Sequence, residues 1–187
     1  MSESVLQHHF TQLGFDFNDT SPVFPGWVRR LKIDVGLSDN ARNAIHWIRE
    51  DPHLLVVGIE PIPDSVENLT AMIAQEPDKE RILRQLAIVP IALAGEEGKA
   101  PFYVTDGHTG YSSLLLPRDI PIAKEIEVDV ITLDTLLTFL LSSAISRIDH
   151  LKLDCQGLDL EILESGNENM ANVAAVTAEP EEALYHG

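Results

Sequence analysis

The sequence predicts an α/β fold: a Rossmann-like, doubly wound, three-layer arrangement around a mostly parallel sheet. Short apolar runs alternate with segments whose apolar residues recur at helical spacing. The run 54–59 is apolar almost throughout, which is typical of a strand buried on both faces. Strands that alternate with helices indicate βαβ units and a parallel sheet.

The elements follow one another in a regular order from residue 31. Residues 1–30 are interpreted as an N-terminal arm that packs on a single domain, 31–187. Asp64 with Glu67 predicts a capping box, and Asp134 predicts an N-cap. We predict helices over 38–50, 64–73, 135–142 and 158–164, a polar loop over 106–113, and strands over 31–35, 54–59, 85–93, 102–104, 126–133, 148–153 and 173–178.

Composition excludes several classes of partner. The formal net charge of −17 repels nucleic acid and anionic membranes, although the acidity could serve solubility alone. A single cysteine, Cys155, allows no disulfide within the chain, so we expect a reducing, cytoplasmic location. We see no signal peptide, no membrane span, and no histidine spacing that indicates a metal. Cys155 is interpreted as a small buried residue rather than a nucleophile.

The strand ends outline a candidate ligand site. In parallel sheets, ligands bind beyond the carboxyl ends of the strands, where the strand order reverses. The residues expected there are 34–36, 60–61, 154–157 and 179, and each group contains a carboxylate. Acidic side chains therefore surround the expected site.

The turn after the first strand indicates the type of ligand. Gly36 has no Cβ, so the backbone can approach a ligand closely. The dinucleotide fingerprint G-x-G-x-x-G is absent, as is a Walker A lysine, and Asp39 would repel a pyrophosphate. S-adenosylmethionine carries a sulfonium cation and no phosphate. We therefore expect it as the cofactor, with Gly36, Ser38 and Asn40 in contact with it.

Two acids could also contact this cofactor. Glu60, followed by Pro61, ends the second strand and can accept hydrogen bonds from both ribose hydroxyls. The alternative is a solvated turn acid. Asp34 either contacts the cofactor or caps the first turn through backbone N–H groups.

At these residues the chain resembles the FkbM family of methyltransferases. The resemblance implies a Rossmann-like enzyme that uses S-adenosylmethionine, usually to methylate a hydroxyl oxygen. It implies that Asp34 and Gly36 form the first cofactor motif, that Glu60 binds ribose, and that residues 154–157 lie beside the methyl group. Many members carry further glycines where this chain has Ser38 and Asn40, but asparagine tolerates the left-handed conformation. The matching pieces are 33–36, 57–61, 92–98, 112–114, 130–134 and Leu151-Lys152-Leu153-Asp154-Cys155-Gln156-Gly157.

A hydroxyl acceptor must also lose its proton, and a positioned base assists that step. Asp154 is the first candidate base and Glu179 the second, although Asp154 could instead orient the cofactor. The loop 106–113 is expected to be an acceptor lid or an ordinary surface loop. The candidate residues for binding a small-molecule or sugar acceptor are His108, Ser112, Ser113 and Gln156.

The chain ends soon after the last predicted strand. We therefore expect a shortened domain that lacks the last strands of the usual methyltransferase sheet. Such a domain would have an exposed sheet edge through which a homo-oligomer could form. The rival functions are a non-catalytic or truncated binding domain and a nucleotide-dependent oxidoreductase.

Overall fold

A computed structural model describes residues 4–107, 109–141, 144–179 and 185–186. The helices are Val5–Gln12 (α1), Arg42–Glu50 (α2), Pro63–Ile73 (α3), Lys79–Gln85 (α4), Leu133–Leu140 (α5) and Asp159–Glu164 (α6). The strands are Asp16–Asn18 (β1), Ser21–Val23 (β2), Arg30–Val35 (β3), Leu54–Ile59 (β4), Leu86–Val89 (β5), Ala92–Leu93 (β6), Gly98–Thr105 (β7), Leu116–Pro117 (β8), Ile122–Ile131 (β9), His150–Leu153 (β10), Val176–Ala178 (β11) and Tyr185–His186 (β12). Short 3₁₀ helices cover Thr109–Tyr111 and Asn167–Asn172.

The centre of the fold is a parallel sheet with the order β11-β10-β3-β4-β5 among the described strands. Chain order runs from β3 through β4 to β5 on one side and continues with β10 and β11 on the other. The strand order therefore reverses between β3 and β10, which is where ligands bind in sheets of this kind. The predicted doubly wound α/β fold is confirmed.

Side chains of the central strands alternate between two buried layers. In β4, Leu54 and Val56 pack in a cluster with α2, α3 and α4. Leu55 and Val57 lie in the opposite cluster, with α1, α5 and α6. Burial on both faces explains why β4 is apolar over its whole length.

A second sheet, which the sequence reading did not predict, covers one side of the site. Its order is β6-β9-β7, with β6 parallel to β9 and β7 antiparallel to it. A small apolar cluster that includes Ile62, Ala92 and Phe102 joins it to the rest of the domain. On the surface, the ammonium of Lys124 lies 2.6 Å from the Asp64 carboxylate in α3.

Residues 5–23 form a helix and a hairpin that pack on the domain. Phe10 of α1 is fully buried, and its ring centre lies 5.0 Å from that of Phe139 in α5. Among the described strands, β11 lies at one edge of the central sheet, and its Val176 is exposed. Oligomer formation through this edge stays a prediction.

Several predicted helix starts were wrong. The chain becomes helical at Arg42 rather than at residue 38, because Ser38 and Ala41 have left-handed φ angles of 57° and 41°. The capping box does not form: α3 begins at Pro63, which needs no N–H partner, and Asp64 lies inside the first turn. The N-cap of α5 is Thr132 rather than Asp134, with its hydroxyl accepting a hydrogen bond from the Thr135 N–H.

Other boundaries moved for identifiable reasons. The predicted strand 85–93 divides at Pro90, which has no N–H for a strand ladder, and its two parts join different sheets. The strands predicted over 102–104 and 126–133 are the long hairpin partners β7 and β9. The strand predicted over 173–178 begins at Val176, and Val173 makes only an isolated bridge to Ile148. Within the described residues, no helix has the length and apolar character required to span a bilayer.

Candidate functional site

The carboxyl ends of β3, β4 and β10 converge on one cavity. Its empty space is about 630 Å³, including the mouth that opens to solvent. Among the described residues that line it, Glu60 and Asp154 carry acidic side chains, and none is a lysine, arginine or histidine. The predicted site residues that line the cavity are Gly36, Ser38, Glu60, Pro61, Ser112, Asp154 and Gln156.

The turn after β3 requires a glycine. Gly36 has φ +78°, and a Cβ built there would lie 2.3 Å from the main-chain oxygen of Asp154. The turns that follow β3 and β10 therefore touch through backbone atoms. The left-handed residues that follow are Ser38 and Ala41; Asn40, the residue expected to take this conformation, does not have a positive φ. Asn40 is exposed, does not line the cavity, and accepts a hydrogen bond from the Arg42 N–H.

Glu60 is a buried carboxylate on the cavity wall, with 4% of its surface exposed. One oxygen accepts a hydrogen bond from the Ser38 N–H at 2.8 Å, and the other accepts one from the Ile62 N–H at 3.0 Å. Burial raises the pKa of Glu60 to about 7, although both hydrogen bonds favour the ionised form. Each oxygen can accept a further hydrogen bond from a ligand, which would stabilise the charge.

A buried lysine, Lys152, connects the carboxyl ends of β3 and β10. The Lys152 ammonium lies 3.4 Å from an Asp34 oxygen and 3.3 Å from an Asp154 oxygen, and it donates to the carbonyl of Gly36 at 3.2 Å. Asp34 is 1% exposed and does not line the cavity. Its other oxygen accepts a hydrogen bond from the Ala44 N–H in the first turn of α2. Burial raises the pKa of Asp34, and Lys152 opposes that shift.

The observed contacts of Asp34 match the capping role, one of the two roles that we considered. It caps the first turn of α2, whose own N-cap residue Ala41 provides no side-chain hydrogen bond. In this structure its carboxylate does not reach the cavity. Contact between Asp34 and a cofactor stays a prediction.

Asp154 is held at the cavity by two donors. Lys152 donates to one carboxylate oxygen, and the side-chain amide of Gln156 donates to the other at 2.6 Å. Gln156 has a left-handed φ of 53° and is followed by Gly157 with φ +98°, so the chain turns sharply after β10. The side chain of Asp154 is 35% exposed. It is therefore both fixed and accessible, as a proton acceptor must be.

The opposite wall contains the segment that was expected to bind the acceptor. Ser112 lines the cavity, and its hydroxyl accepts a hydrogen bond from the Thr105 N–H. Ser113 is buried and outside the lining; its hydroxyl donates to the Gln156 carbonyl at 2.9 Å. His108 lies outside the described residues. Phe102 supplies an apolar surface from the second sheet.

Among the described residues, the carboxyl end of β11 contributes no side chain to the cavity. Glu179, the second candidate base, is exposed and outside the lining. Its N–H instead donates to the buried carboxylate of Asp159, which also accepts from the Cys155 N–H. Burial raises the pKa of Asp159 and also that of the Cys155 thiol, which therefore stays protonated. The prediction that Cys155 is not a nucleophile agrees with this environment.

Sequence reasoning missed three contributors to the site. Lys152 lies inside an apolar strand, and a charge in such a place was a usable signal of a buried partner. Phe102 lies in a strand that was predicted, but the pairing of that strand with β9 in a second sheet beside the site was not. Tyr185, near the C-terminus, is buried and hydrogen-bonds to the Gln156 side chain, and nothing in the surrounding sequence indicated this contact.

Comparison with known proteins gives a family match. The profile of the methyltransferase FkbM domain matches residues 34–181. No curated protein matches the chain. A crystal structure of methyltransferase FkbM from Methylobacillus flagellatus KT aligns with 13% sequence identity and a TM-score of 0.48, covering 80% of this chain and 32% of that one. This chain thus spans about a third of the length of that protein.

Proposed function

The chain belongs to the FkbM methyltransferase family, and we propose that it transfers a methyl group from S-adenosylmethionine to a hydroxyl oxygen of a small molecule or sugar. One observation supports this above all. Glu60 and Asp154 meet in one cavity at the point where strand order reverses, and the described lining contains no cationic side chain. Such a cavity suits a ligand with sugar hydroxyls and a positive charge.

The residues present fit this cofactor. The turn after β3 lets backbone atoms of Gly36 and Ser38 border the ligand. Glu60 has free acceptor capacity for ribose hydroxyls, and its buried charge lacks a cationic partner at hydrogen-bond distance among the described residues. When bound, S-adenosylmethionine supplies a methyl group activated by its sulfonium. The protein then has to align the acceptor and exclude water.

Asp154 would remove the proton of the acceptor hydroxyl. Its two donors, Lys152 and Gln156, fix the carboxylate in place, so little reorganisation is needed when the acceptor arrives. Phe102 and Leu114 line the same cavity and would keep water from the reacting oxygen.

Calorimetric titration tests the cofactor part of this proposal. We expect saturable binding of S-adenosylmethionine that is lost in Glu60→Ala, and no binding of NAD. Asp16→Ala, at an exposed acid that does not line the cavity, is the matched control and should bind normally. Binding of NAD alone would reject the proposal in favour of an oxidoreductase.

The catalytic part needs a separate variant. We expect Asp154→Asn to lower methyl transfer by about 10²- to 10⁴-fold, the usual contribution of a positioned base. Cofactor affinity should stay within about tenfold, because the role is confined to the transition state. Turnover that persists in this variant would show that another group is the base. Binding without turnover in the unmodified chain would favour a non-catalytic binding domain.

A further inference from the structure

Tyr185 connects the C-terminal strand to the site. It lies beyond residues 34–181, which the family profile matches, and its side chain is 1% exposed. β12 pairs antiparallel with β8, which places Tyr185 opposite Pro117. The phenol oxygen is 2.9 Å from the side-chain oxygen of Gln156 and 3.1 Å from the main-chain oxygen of Tyr111.

Gln156 carries this contact to Asp154. Its side-chain nitrogen donates to the Asp154 carboxylate at 2.6 Å, so the two ends of one carboxamide touch Tyr185 and Asp154. The backbone of Gln156 is also fixed, because its carbonyl accepts the Ser113 hydroxyl. The chain of contacts therefore runs from Tyr185 through Gln156 to Asp154 without a gap.

We propose that Tyr185 is a positioning residue that lets the Gln156 carboxamide serve Asp154 in both of its protonation states. The inference rests on the proposed role of Asp154 as proton acceptor. While Asp154 is ionised, the amide nitrogen of Gln156 must face it, since a carboxylate only accepts hydrogen bonds. The amide oxygen then faces Tyr185, whose hydroxyl donates to it, as observed.

After Asp154 takes the acceptor's proton, the requirement reverses. Its carboxyl group now has an O–H. This O–H rotates away from the methylated product and donates a hydrogen bond to the amide oxygen of Gln156. The amide rotates by half a turn, and its nitrogen donates to the Tyr185 oxygen. The Tyr185 proton then moves to its other acceptor, the carbonyl of Tyr111 at 3.1 Å. Every donor keeps a partner, while Lys152 remains on the second oxygen of Asp154.

A hydroxyl is necessary for this exchange because it both donates and accepts. Phenylalanine would leave the amide oxygen without its donor in the first state, and the amide nitrogen without its acceptor in the second. A buried polar group without a partner is destabilised, so the Gln156 amide would lose its fixed orientation in either state.

Nuclear magnetic resonance of the ligand-free protein tests the contact without reference to activity. The side-chain amide protons of Gln156 are assigned by their loss in Gln156→Met. We expect their exchange with solvent to become about tenfold faster in Tyr185→Phe, as for the loss of one hydrogen bond. Tyr103→Phe, in β7, is the matched control, because the Tyr103 hydroxyl forms no hydrogen bond within the part of the chain that the structure describes. Unchanged exchange in Tyr185→Phe would overturn the proposal.

Kinetics test the consequence. Tyr185→Phe should lower kcat about tenfold and leave the KM for S-adenosylmethionine within about twofold, since the contact acts on the base. Combining it with Gln156→Met should lower kcat no further than Gln156→Met does alone. Additive losses, or full kcat in Tyr185→Phe, would contradict the positioning role. If the unmodified chain does not bind S-adenosylmethionine, the proposed function fails, and the resonance experiment alone decides the Tyr185 contact.

Discussion

The buried charge of Glu60 leads to a pH-dependent affinity for the adenosine part of the cofactor. The carboxylate is 4% exposed, and its burial raises the pKa to about 7. Below that pH the ligand-free protein keeps Glu60 protonated. A ribose that donates to both oxygens prefers the ionised form, because hydrogen bonds to a charged acceptor are the stronger ones. Binding must therefore release the proton, and affinity must rise with pH.

The size of the effect follows from the ionised fraction. With a pKa of about 7, about a tenth of Glu60 is ionised at pH 6 and about nine tenths at pH 8. Since apparent affinity scales with the fraction of the competent form, the dissociation constant should fall by about tenfold between these two values.

The suitable probe is 5′-methylthioadenosine. It contains the adenine and ribose but no amino-acid group that titrates in this range, so the pH dependence reports on the protein. Calorimetry at pH 6, 7 and 8 measures it. Glu60→Gln is the control and should remove the slope, because it cannot ionise. An affinity that does not change with pH, or an equal slope in Glu60→Gln, would show that Glu60 does not bind the ribose in its ionised form.

Two further predictions concern stability, and urea unfolding measures both. Gly36→Ala should destabilise the fold by about 3 kcal/mol or more, because it combines a left-handed φ with a Cβ 2.3 Å from a carbonyl oxygen; Gly14→Ala, at φ +83° with nothing within 4 Å, should cost only about 1 kcal/mol. Lys152→Met should cost about 3–5 kcal/mol, because the buried Asp34 loses its cation; Lys99→Met, at an exposed ion pair, should change the free energy of unfolding far less. Equal losses within either pair would refute the reasoning.

Some of the site could be predicted because it depends on local pattern. The apolar run of β4 and the turn formers after it place Glu60 at a strand end, whatever the rest of the chain does. The same holds for Gly36 and Asp154, and all three line one cavity. Predictions of individual helix caps, and of Glu179 as a cavity residue, were less accurate. The N-caps of α3 and α5 lie at other residues, and Glu179 lies outside the cavity.

The sequence by itself determined the central strands β3, β4 and β10 and the acidic residues at their carboxyl ends, because burial on two faces requires apolar runs that can be read directly. Only the tertiary structure decided what those acids touch. One oxygen of Asp34 caps α2 at the Ala44 N–H, and the other faces a buried lysine from β10. Tyr185 reaches Gln156 across 29 residues of sequence. Contacts between distant segments depend on how the elements pack, and no local period in the chain records them.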